Sequence, residues 1–106
     1  MRPPLTHLAW PFFDEAHRQF GSRLEDWADR EVRQHVDHAD VDRSCRSLVR
    51  ALGEAGWLRA VVPAAYGGLS EKLDVRTLCV AREVLSWHDS LADFSFAMQG
   101  LGTGSI

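Results

Sequence analysis

The chain predicts an all-α fold, a bundle of about four helices, and three observations carry that expectation. Apolar residues recur at steps of three and four along several stretches, the spacing of one helix face. Residues that start and stop helices stand at the ends of those stretches: Asp40 or Asp42, Asp74 and Ser90 as caps, Gly56 as a terminator. The chain has 106 residues, 45% hydrophobic and 25% charged, which suffices for one packed core and argues against disorder.

Residues 1–10 contain two prolines and no period, and predict an extended arm ahead of a helical domain over 11–106. The first helix is expected to begin near Pro11, with Asp14 and Glu15 in its first turn where carboxylates favour the positive end of the helix dipole. Its apolar stripe is Phe13, Ala16, Phe20, Leu24, Trp27 and Glu31 or Val32; Gly21, a poor helix former, is read as a close packing point. After a polar stretch from His35 to Asp42, a second helix places Cys45, Leu48, Val49, Leu52 and Ala55 on one face. Gly56 ends it in a left-handed conformation, with Trp57 folding back onto the last turn. Pro63 forbids an immediate restart and Gly67-Gly68 mark a tight turn.

A third helix follows from an Asp74 cap to about His88, with Val75, Leu78, Cys79, Val80 or Arg82, and Leu85 inward. Ser90 and Asp93 have the spacing of a capping box for the fourth. This last helix differs from the others, because Leu91, Ala92, Phe94, Phe96, Ala97, Met98 and Leu101 cover most of its circumference. Three other helices cannot cover it, so a further domain or a partner is expected over the remaining apolar surface.

Composition excludes several functions. A formal net charge of -3 offers no field for phosphate backbones, so no nucleic-acid partner is expected, and Pro63 with no basic face disfavours a helix-turn-helix reader. The N-terminus has no signal-peptide core and no segment is long enough to span a bilayer, so no membrane partner and a cytoplasmic location are expected. Two cysteines, Cys45 and Cys79, are too few and too far apart for a disulfide framework and are read as reduced and buried. His35 and His38 among Asp37, Asp40 and Asp42 invite a metal reading, but a calcium loop's glycine and terminal glutamate are missing, so no metal site is expected. Glu83 is read as the partner of Arg82 in a helical salt bridge, and Tyr66-Gly67-Gly68 lacks the strand and lysine of a phosphate-binding loop.

The order LGEAGWL, VP, YGG, then Arg82-Glu83 and MQGLG, resembles the N-terminal helical domain of acyl-CoA dehydrogenases over roughly Phe13 to Ile106. The resemblance implies an FAD-dependent enzyme that oxidises an acyl-CoA to the 2,3-enoyl-CoA, working as a homotetramer or homodimer with an acceptor such as an electron-transfer flavoprotein. It also implies a β-barrel middle domain and a helical C-terminal domain, which hold the FAD-binding loops and the catalytic glutamate, so no catalytic residue is carried over to this chain. What carries over is a wall of the acyl pocket, at Phe94, Ala97, Met98 and Leu101. The competing reading of those four is plain core, and the competing function is a free-standing helical interaction module that docks a partner helix.

Overall fold

The computed structural model describes residues 5–61 and 74–104, the last five by backbone alone. Pro63, Tyr66, Gly67 and Gly68 fall outside the described residues, as does the side chain of Leu101. Among the described residues there are four α-helices and no strand: α1 Glu15–Glu31, α2 Val41–Glu54, α3 Val75–His88 and α4 Ser90–Gly104. Short 3-10 segments at Thr6–Ala9, Val32–His35 and Trp57–Val61 join or flank them. In space α1 packs on α3, α3 on α4 and α4 on α2. The thin dimension of the molecule is 19 Å.

Helix ends follow the chemistry of their caps. Asp40 accepts from the backbone N–H of Arg43, and Asp74 from that of Arg76, so α2 and α3 begin where a carboxylate satisfies an orphan donor. Gly56 has φ +88°, a conformation that a side chain would strain, and it closes α2 as predicted. The close approach expected at Gly21 is present: a Cβ there would lie 3.0 Å from Val80 and 3.1 Å from Leu8.

Several expectations need correction. The segment predicted as an extended arm holds a 3-10 helix at Thr6–Ala9, and Leu8 is buried in this domain's own core. Helix α1 starts at Glu15, with Asp14 before it, because Pro11 and Phe12 sit in a turn. The buried stripe of α1 is His17, Phe20, Gly21, Leu24, Glu25 and Ala28, so the helix is rotated from the expected face, and Ala16 is exposed. In α2 the buried residues are Ser44, Leu48 and Leu52, while Ala55 is exposed. Helix α3 buries Val80, Ala81, Val84 and Leu85, leaving Val75, Cys79 and Arg82 at the surface. The cysteines are free but not buried, Cys45 being intermediate and Cys79 exposed. Trp57 turns its ring to Phe20 and Trp27 of α1, and Leu58 lies against Gly53. Finally, Asp89 caps α4 by accepting from the N–H of Leu91, and Asp93 reaches across to Arg82. Asp89 wins because it also closes α3 and accepts from His38, so one residue serves both helix ends.

Helix α4 divides its apolar residues between two environments. Phe96 and Ala92 are buried in the core, with Phe96 1% exposed, whereas Phe94 is 56% and Met98 43% exposed. Among the described residues the covering that the sequence calls for is thus supplied on one side of the helix and missing on the other.

Candidate functional site

That open side of α4 forms one wall of a groove. Helix α3 supplies the other wall through Leu78 and Arg82, and Val61 closes it from the 3-10 segment after α2. The groove encloses about 760 Å³, within the usual range for sites that hold a small molecule. Phe94 and Met98 are one turn apart on α4, and Ala97 lies beside them, so a helical period brings all three to the groove. Three of the four sequence-predicted residues, Phe94, Ala97 and Met98, therefore meet in one place. Leu101 carries no described side chain.

The groove's polar group is a clasp between its walls. Arg82 donates from Nε to Asp93 Oδ1 at 2.9 Å and from Nη2 to Oδ2 at 3.3 Å, a two-pronged pair that joins α3 to α4. Hydrogen bonding and attraction to Asp93 raise the guanidinium's pKa further above its ordinary value, so the clasp stays charged. Sequence reading assigned Arg82 to a pair with Glu83, but Glu83 instead meets His7 Nε2 at 2.7 Å. The signal that could have found the clasp is the antiparallel α3–α4 hairpin, which puts residue 82 opposite residue 93 across a single connecting residue.

A second set of titratable groups lies on the other side of α3. His17 is 2% exposed; its Nδ1 accepts from the backbone N–H of Asp14 at 2.8 Å and its Nε2 lies 2.7 Å from Asp74 Oδ2. Because Nδ1 accepts, the ring proton sits on Nε2 and is donated to Asp74. Burial by itself would raise the Asp74 pKa. The hydrogen bond from His17, the N–H of Arg76 and the Thr77 hydroxyl outweigh it and hold the carboxyl at about 2. Farther along, His88 Nε2 meets the buried Glu25 at 2.8 Å. Glu25, Asp29 and His88 bring one ligand atom each within 4.8 Å of one another, so they could approach a metal together. His88 and Glu25 are bonded to each other, and Glu25 and Asp29 have further partners. His35 and His38 do not converge, since His35 pairs with Ser47 and His38 with Asp89. None of these groups lines the groove.

The arrangement is thus an apolar groove with a self-paired charge at its edge, backed by a polar seam that locks α1 to α3. Such a groove can hold a hydrocarbon and exclude water from it. Among the described residues no helix is long and apolar enough to cross a membrane. A family model described as the acyl-CoA dehydrogenase N-terminal domain matches residues 14–106. No curated protein matches the chain.

Proposed function

This chain belongs to the acyl-CoA dehydrogenase family through its N-terminal helical domain, and on that premise we propose that the groove is one wall of the acyl pocket of an FAD-dependent dehydrogenase. The whole enzyme would oxidise an acyl-CoA to the 2,3-enoyl-CoA, as a homotetramer or homodimer in the cytoplasm, passing electrons to an acceptor such as an electron-transfer flavoprotein. The observation that carries this reading is the open apolar face of α4, where Phe94 and Met98 stand exposed beside a closed core.

The physical fit is to the acyl group. Each methylene buried from water gains about 0.8 kcal/mol, so apolar walls are the material an acyl chain needs, and they also keep water from the reacting carbons. Phe94 and Met98 are bulky and shorten the space, which favours small, branched or cyclic acyl groups. Phe94, Ala97, Met98 and Leu101 are the residues assigned to this wall. The groove's described lining does not fit a dinucleotide, because among the described residues Arg82 is the one cation there and it is already paired to Asp93. FAD, which would take up the hydride when bound, is assigned to a middle β-barrel and a C-terminal helical domain of a longer polypeptide, whose packing against α4 would complete the pocket.

The test is to purify the full-length protein from cells, record its visible spectrum and titrate it with acyl-CoAs. A flavin spectrum bleached by a short-chain acyl-CoA is expected. A colourless protein that binds no acyl-CoA removes this reading. If that protein is also monomeric and melts cooperatively, a helical interaction module takes its place.

A further inference from the structure

Resting on the acyl-pocket reading, we infer that the Arg82–Asp93 clasp is the stop that closes the groove at its hairpin end and so limits the length of the acyl group. Helices α3 and α4 are joined by Asp89 alone, so the groove's two walls converge toward that residue. Arg82 and Asp93 face each other across the gap, both line the groove, and their two hydrogen bonds bridge it from wall to wall. Leu78 and Ala97 stand four residues from Arg82 and Asp93, about 6 Å along each helix and on the side away from Asp89. Ser90 and Leu91 line the groove on the Asp89 side of the clasp. The cavity therefore has an apolar length on one side of the pair and a short remainder behind it.

An acyl chain that stays on the apolar side gains about fourfold in affinity for each methylene buried. A chain that reaches the clasp meets a charged pair in place of apolar wall and strips water from it, so a further methylene gains nothing there. The stop is thus electrostatic as well as steric. It is also cheap to remove without unfolding the domain, because the Arg82 side chain is 58% exposed and exposed ion pairs contribute little stability.

The experiment uses the full-length protein and measures dissociation constants for butyryl-, octanoyl- and lauroyl-CoA. Wild type is expected to gain affinity with length and then to level off. Arg82→Met, which keeps most of the side chain's bulk but not its charge, should move that plateau to longer chains and raise the lauroyl-to-butyryl affinity ratio about tenfold. The exchange Arg82→Asp with Asp93→Arg restores a pair and should restore the wild-type profile. Circular dichroism establishes that each variant is folded; if Arg82→Met is not, Arg82→Gln takes its place. An unchanged length profile in a folded variant overturns the inference, and so does an exchange that fails to restore it. If wild type binds no acyl-CoA at all, the acyl-pocket reading itself falls and the length limit goes with it.

Discussion

The two sides of α3 show how one helix can both stabilise a domain and leave it open. Toward α1 it is closed: Val80 packs so near Gly21 that a Cβ there would lie only 3.0 Å from it. Three histidine–carboxylate pairs bind the same helix to α1 and the segment before it: His17 with Asp74, His88 with Glu25, His7 with Glu83. Toward α4's outer face the same helix offers Leu78 and Arg82 to a groove with exposed Phe94 and Met98 opposite. The His88–Glu25 pair is buried, and such a pair is a weak source of net stability but leaves a large penalty when one partner is removed, so it fixes how two helices meet. The lesson is a division of labour. The seam sets the position of α3, and that position holds the groove's wall in place without needing the groove's own residues as core.

The largest effect that tests this division is expected in the seam. Leu24 is fully buried on α1, and truncating it to alanine leaves a cavity that neighbours on two helices cannot fill. Leu24→Ala should lower the unfolding free energy by about 3 kcal/mol in denaturant titration, a large part of what a domain this size has. A loss under about 1 kcal/mol would mean that the seam is not the closed side, and the contrast between the two faces would disappear.

A smaller effect sharpens the electrostatic half of the comparison. Asp74 has its pKa lowered from 3.8 to about 2 in the folded domain. A depressed carboxyl pKa contributes stability that is fully present above the unfolded value and lost as pH falls through the folded one. Asp74→Asn should therefore cost roughly 1–2 kcal/mol at pH 6, discounted for the partial exposure of the carboxyl, with the gap to wild type closing between about pH 4 and pH 2. A gap that persists undiminished at pH 2 would show that Asp74 acts only as a neutral cap on α3.

Much of the closed side's outline was legible in the chain, but its polar interior was not. Asp40, Asp74 and Gly56 announce helix ends through local chemistry, and each does what its type predicts. Gly21 announces a close approach because glycine in a helix needs a reason. His17 and Glu25 were invisible because a polar residue on a helix reads as solvent-facing, and their burial depends on Asp74 and His88, which lie some sixty positions away. With both left out, α1's expected inward stripe turned away from the true one. Glu83 was misassigned for the same reason, a nearby Arg82 being the natural partner until the fold brings up His7. On the open side, an uncovered face of α4 was legible because a helix apolar all round must be either enclosed or in use, whereas Phe94, Ala97 and Met98, which line the groove, were singled out by the family resemblance. What composition could not separate was Phe96, which packs inward, from Phe94, which does not. That division depends on where α2 and α3 stand around α4.

The smallest expected change in stability bears hardest on the comparison. If the groove is not core, Phe94→Ala should alter the unfolding free energy by no more than about 0.5 kcal/mol, because over half of that residue is already in water. The same substitution should extend the acyl chain that the full-length protein accepts, since it removes a ring from the groove's wall. Core residues behave in the opposite way, losing about 3–5 kcal/mol when a phenylalanine is cut to alanine. Phe96→Ala, two residues along the same helix, supplies that control, since Phe96 is buried. The two variants together ask whether neighbouring phenylalanines on one helix serve different ends. Equal losses in both would mean that α4 has no free face, and the groove would have to be read as a gap in the core instead of a place for a ligand.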